Sequence, residues 1–218
     1  MTDTPIERSV TLDVAEDFIR SKISSIGLTP QLSISGVEAF AATCSLYDRY
    51  GKVVSQGHGK GNLKSATTGA LFEAAEHFLS EFQQIPRQVV RVKPVLDVLK
   101  SIADPERLPF RLLAEDTSKQ ITTLLYKQVN GSKEFSRPLA LCCPGFVDEV
   151  YKNNDLVKKD NFDYGRLQLY ATNSGVAAGY SKTEAIIHGL LESCERDAIS
   201  QFLLEVFIMG KSSRLVFS

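Results

Sequence analysis

The sequence says one thing twice: a run of glycines, then a helix carrying two glutamates one turn apart. Residues 57–78 read GHGKGNLKSATTGALFEAAEHF, and residues 174–207 read SGVAAGYSKTEAIIHGLLESCERDAISQFLLEVF. Twelve residues separate Gly61 from Glu73, and thirteen separate Gly179 from Glu192. In the first helix Leu71, Ala74, Ala75, Phe78, Leu79 and Phe82 set out a stripe expected to be buried, which turns Glu73 and Glu76 away from it. In the second the stripe is Ile187, Leu190, Leu191, Cys194, Ala198 and Phe202, with Glu192 and Glu195 beside it and Arg196 next in line. A single Glu-x-x-Glu is an ordinary solvated helix face. Its duplication predicts two related half-sites, with the helices side by side and four carboxylates on one cavity.

Four carboxylates brought together repel unless cations sit between them. Paired hard oxygen ligands suit Mg²⁺, which leaves room for waters and for substrate phosphates. The GHGKG and SGVAAG turns are expected to offer backbone N–H groups to those phosphates. Lys60 is then either a phosphate contact or a turn lysine. No G-x-x-x-x-G-K-[ST] is present, so this is not a Walker A loop.

At these residues the chain resembles the YcaO family of ATP-using peptide-modifying enzymes. NSGVAAG, EAIIHGLLESCERDA, and GKG followed by ALFEAAE carry the likeness, which spans nearly the whole chain. The resemblance implies that Glu73, Glu76, Glu192 and Glu195 bind Mg²⁺ and that the Mg²⁺ holds ATP. It also carries over to Arg196, after the last glutamate, and to Arg8 as a nucleotide contact. The expected catalytic residues are Glu192, Glu195 and Arg196, and the expected nucleotide contacts Arg8, Lys60, Ser174 and Arg196. The implied reaction is activation of a peptide backbone amide: a nucleophile adds, the amide oxygen is phosphorylated and leaves, and an azoline, thioamide or amidine remains. Some positions depart from the family's pattern. Gly69 stands where serine is usual, His77 where arginine is, and Tyr180 where asparagine is. His77, one step past Glu76, is expected to point off the carboxylate face. Residues 1–218 read as one domain, the N-terminal portion of the family's, with a later arginine expected beyond Ser218. The alternative is a non-catalytic scaffold that binds a partner protein, a leader peptide or the second half of the domain.

Composition narrows the partners. A chain of 218 residues, 43% hydrophobic, can bury a core, and the implied class is α+β: mixed sheets with packed helices in two pseudo-related halves. A net charge of −1 recruits neither nucleic acid nor an anionic membrane. No apolar run is long enough to span a bilayer, and no signal peptide opens the chain. The expected partners are a peptide or protein substrate and a second copy in a homo-oligomer. Cys44, Cys142, Cys143 and Cys194 lack C-x-x-C spacing, which points to reduced thiols and a cytoplasmic protein.

Along the chain, Leu12–Ile26 reads as a helix with Val14, Phe18, Ile19, Ile23 and Ile26 inward, stopped by Gly27. Residues 40–47 and 53–54 read as a hairpin, and 88–92 as a short strand before a helix at 94–102. Strands are expected at 121–129 and 139–142, paired across Asn130-Gly131, and at 167–172. The polar stretch 147–166 reads as an extended loop, solvated or facing a partner. His188, one turn before Glu192, reads most simply as a hydrogen-bonded helix-flank histidine.

Overall fold

The structure, a computed structural model, describes residues 9–102, 104–129, 131–148 and 159–210. Arg8, Asn130 and residues 149–158 of the polar stretch lie outside them. The chain divides into two compact units: the described residues up to His77 with those from Ser174 onward, and Phe78–Asn173 between them.

The first unit opens with α1 (Leu12–Ser25), which buries Ala15, Ile19 and Ile23 and places Asp13 in its first turn and Lys22 in its last, each complementing the helix dipole. Gly27, at φ +78°, ends it. The Leu28 N–H reaches the Ile23 carbonyl and the Gly27 N–H reaches that of Ser24, the two bonds of a Schellman cap. Val14 and Ile26, expected inside, are 45% and 48% exposed. Then come β1 (Thr29–Gly36), β2 (Phe40–Tyr47) and β3 (Val53–Gly61), one antiparallel sheet in the order β1-β2-β3. β1 has no counterpart in the sequence reading. It is an edge strand with little buried on either face, so it leaves no alternating pattern to read.

The GHGKG run is a correction: it is strand, not turn. Its glycines serve close packing on α2 (Leu63–Ser80). A Cβ on Gly57 would sit 2.1 Å from the Ala74 nitrogen, and one on Gly59 1.9 Å from the Ala66 oxygen. Two strand residues advance about 6.7 Å and four helical residues about 6 Å. Glycines two apart on β3 therefore keep step with Ala66, Ala70 and Ala74 on α2, all fully or almost fully buried. Leu79, placed in the buried stripe by its spacing, is 55% exposed.

The second unit holds the antiparallel sheet β4 (Val90–Pro94), β5 (Gln120–Lys127) and β6 (Glu134–Pro138). Short helices accompany it, among them α3 (Val95–Lys100), α4 (Leu108–Ala114) and α5 (Leu139–Cys142). Its core gathers Phe82, Val95, Val98, Leu113, Ile121 and Leu139 around Phe146, whose ring meets Phe82 and Tyr164 edge-on. Residues 139–142 were expected to be a strand. Pro138 ends the ladder because it has no N–H, and its φ of −54° starts a helix instead. Residues 167–170 likewise form a 3₁₀ turn with only Leu167 buried. The described end of the polar stretch is anchored, because Asp160 accepts hydrogen bonds from Thr122 and from the Tyr164 hydroxyl.

Back in the first unit, Ser181 caps α6 (Lys182–Leu203) by accepting from the Glu184 N–H. The apolar stripe expected to be buried on α6 is a further correction. Ile187, Leu190 and Leu191 are 39%, 62% and 46% exposed, and the helix's buried residues are Glu184 and Gly189. Two antiparallel sheets among the described residues, with packed helices, make the fold α+β. Among the described residues no helix is long and apolar enough to cross a membrane.

Candidate functional site

Within the first unit, α2, β3 and α6 enclose a cavity of about 410 Å³. From α2 it receives Gly69, Phe72, Glu73 and Glu76, which are positions i, i+3, i+4 and i+7 of one face. From α6 come Glu184, His188, Glu192 and Glu195 at i, i+4, i+8 and i+11, again one face. Helical geometry thus aligns four expected carboxylates and one the sequence reading missed. Glu184 was legible as the same ladder continued two turns back from Glu192. β3 adds His58 and Lys60, and the turn before α6 adds Ala178 and Gly179.

Three of the four expected carboxylates are each oriented by a backbone N–H. His58 donates to Glu73 at 2.6 Å, Ala178 to Glu76 at 2.9 Å, and Gly175 to Glu192 at 3.2 Å. The glycine-led segments therefore grip the glutamates in this structure, where the sequence had them facing phosphates. Gly175, at φ +81°, lies in a region that side chains avoid.

Burial pushes the Glu76 carboxyl above its ordinary range; the Ala178 N–H opposes this, and the nearby Glu192 charge reinforces it. Glu184 is the buried carboxylate of the set, 8% exposed. It accepts from Ser9, through both N–H and hydroxyl, and from the Tyr180 N–H. It thereby ties the start of the described chain to the N-terminal turn of α6.

Arg196 and Ser174 do not line the cavity. Arg196 bonds Glu192 at 2.5 Å and the Ser174 hydroxyl at 3.0 Å, closing the glycine turn onto α6. Lys60 lines the cavity from a strand rather than a turn, and Arg8 lies outside the described residues. His77 does not line the cavity. Its Nδ1 bonds the Gln56 carbonyl at 2.7 Å, so Nδ1 carries the hydrogen, and Nε2 lies 3.8 Å from Glu73. The ring thus stands behind the Glu73 carboxylate, away from the cavity.

The donor set fits a hard divalent cation: five carboxylates share one cavity, and the burial of Glu76 disfavours its charge. Among the described residues no three His, Cys, Asp or Glu side chains form a ready-made metal site. An ion held here would keep waters or take oxygens from its ligand, which is the habit of Mg²⁺.

No curated protein matches the chain. Among solved structures it matches YcaO from Methanopyrus kandleri, a structure bound with AMPPCP and Mg²⁺, at a TM-score of 0.57 and 19% identity. The match covers 95% of this chain and 49% of that one, so the chain spans about half the length of the structure it resembles. The model of the family described as YcaO cyclodehydratase, ATP- and Mg²⁺-binding, matches residues 57–209, a stretch that contains both glutamate pairs and both glycine runs. The family's cofactors are ATP and Mg²⁺. The chain belongs to the YcaO family.

Proposed function

We propose that this protein takes part in ATP- and Mg²⁺-dependent activation of backbone amides in a peptide or protein substrate, in the reducing interior of the cell. The observation that carries the reading is the cavity where Glu73 and Glu76 of one helix meet Glu192 and Glu195 of another. Those four residues would hold Mg²⁺, with Glu184 at the far end of the same face. When bound, ATP with Mg²⁺ supplies a phosphoryl group that turns an amide oxygen into a leaving group. The chain's own part is to position. The N–H groups of His58, Ala178 and Gly175 fix three carboxylates, and Arg196 braces Glu192 from outside the cavity. An azoline, thioamide or amidine product depends on which nucleophile adds to the amide carbon.

The test is calorimetric titration with AMPPCP, with and without Mg²⁺, on the protein and on Glu195→Gln. Glu195 forms no hydrogen bond or ion pair among the described residues, so its loss leaves the fold alone. Binding that needs Mg²⁺ and weakens at least about tenfold in the variant is expected from the loss of a charged ligand. Mg²⁺-independent binding, or none, sinks the reading.

One observation favours a second reading, a non-catalytic scaffold. Arg196, the cation that follows the second glutamate pair, is held by Glu192 and Ser174 and does not face the cavity. Phosphate release from ATP in the presence of cellular peptides separates the two, since a scaffold binds without turnover.

A further inference from the structure

We propose that the free edge of β3 at His58–Gly61 receives the backbone of an extended peptide, held as a fourth strand along the wall of the carboxylate cavity. The inference deepens the peptide-amide reading above and rests on it.

Among the described residues β3 pairs with β2 alone, which leaves its other edge open to a further strand. In an antiparallel ladder alternate residues turn both N–H and C=O away from the partner strand. The His58 N–H points outward, because it donates to Glu73. Thr43 and His58 are then a non-hydrogen-bonded pair, in keeping with their side chains meeting at 3.2 Å. Two residues on, Lys60 opposite Ala41 has the same orientation. At its start this edge is already capped: the Gln56 carbonyl by His77 and the His58 N–H by Glu73. Beyond the cap come the His58 carbonyl, the Lys60 N–H and the Lys60 carbonyl, on the two β3 residues that line the cavity.

That order, acceptor, donor, acceptor, selects the occupant. A phosphate offers only acceptors and would face two carbonyl oxygens. A peptide backbone offers N–H, C=O and N–H in matching sequence. Pairing here brings the amides of the added strand beside the carboxylates, where the proposed reaction needs them.

The experiment uses peptides selected from a random-sequence phage library on the protein with Mg²⁺ and AMPPCP, then synthesised and measured by calorimetry. Lys60→Ala removes the ammonium and keeps the backbone donor. Lys60→Pro removes both, and an edge strand tolerates proline where the N–H faces outward. Relative to Lys60→Ala, Lys60→Pro is expected to bind the peptides about three- to tenfold more weakly, the effect of one net hydrogen bond, with AMPPCP affinity equal in the two variants. Methylating the peptide's backbone nitrogens one at a time leaves the protein untouched, and losses at every second position are the signature of strand pairing. Equal peptide binding by the two variants, losses without that period, or no selected peptide overturns the proposal. A difference between the variants confined to AMPPCP would instead make this edge a phosphate contact and overturn it too. Absence of AMPPCP binding to the unaltered protein would count against the nucleotide reading, while the alternating methylation losses would still report on the edge.

Discussion

The Ala178 N–H donates to the Glu76 carboxylate across 2.9 Å, joining residues 102 apart in the chain. The bond fastens the turn before α6 to α2 and so brings the two glutamate pairs to one cavity. It also leaves a half-buried carboxylate with the Glu192 charge nearby.

Glu76→Gln tests that cost. The amide oxygen can still accept from Ala178, while the buried charge and its repulsion from Glu192 disappear. The variant is expected to melt at a higher temperature than the unaltered protein at pH 7 in EDTA. With Mg²⁺ and AMPPCP the order should reverse, because a ligand stabilises only the form that binds it. Differential scanning calorimetry in both conditions reads this. A variant that melts lower in EDTA would show that the carboxylate is compensated already.

Two glycines that look alike in sequence should answer oppositely to alanine. At Gly59 a Cβ would meet the Ala66 oxygen at 1.9 Å, so either β3 or α2 must move. Gly59→Ala is expected to destabilise by about 2–3 kcal/mol, as overpacking does. At Gly69 the nearest atom is the Gly59 Cα at 3.6 Å, an ordinary contact. Gly69→Ala is expected to stabilise by about 0.5–1 kcal/mol through helix propensity. Urea unfolding of both settles the contrast.

The GHGKG run separates what is legible in this sequence from what is not. Both glutamate pairs, their helices and the α+β class were legible, since helical spacing is a local property and sets the glutamates of each helix on one face. The role of the glycines was not. Glycine marks freedom from a side chain, and the same letters serve a phosphate-binding turn or a strand pressed on a helix. Only Ala66, Ala70 and Ala74, read as a partner stripe, distinguish the two. Leu139–Cys142 failed differently, because an apolar run of four fits a buried strand or a buried turn of helix equally well. Glu184 was missed because a lone glutamate in a first turn reads as a charge that complements the helix dipole, and it does stand in the first turn of α6.

Lys64, on α2, bonds Asp13 at 2.7 Å and Glu16 at 2.8 Å on α1, and Arg20 joins Glu16 at 2.8 Å. Burial raises the Glu16 pKa, but the bonds from Lys64 and Arg20 outweigh it and leave the pKa below its usual 4.5. A carboxylate depressed in the folded state adds stability above its unfolded pKa, and the gain is lost as pH falls through the folded one. Glu16→Gln should therefore lower the melting temperature at pH 7, and the gap should close below about pH 4. A gap that stays constant with pH would assign the effect to packing instead of charge.

The last prediction concerns α6, where the helical period pointed to a buried stripe that the structure exposes. Leu190 is 62% exposed and Leu203 46%, and beyond the helix Phe207 and Ile208 are 73% and 77% exposed. If the periodicity were the better guide, Leu190→Gln would bury a polar group in a core and cost about 2–5 kcal/mol. If exposure governs, the same change should fall within about 0.5 kcal/mol of the unaltered protein, as surface substitutions do. The effect of the change on association is then separable from its effect on stability. Apolar side chains on a solvated helix favour contact with another surface, so Leu190→Gln with Leu203→Gln should also reduce concentration-dependent association in sedimentation velocity. Urea unfolding at one low protein concentration isolates the stability term. A loss of several kcal/mol there would mean that α6 packs its stripe inward in solution.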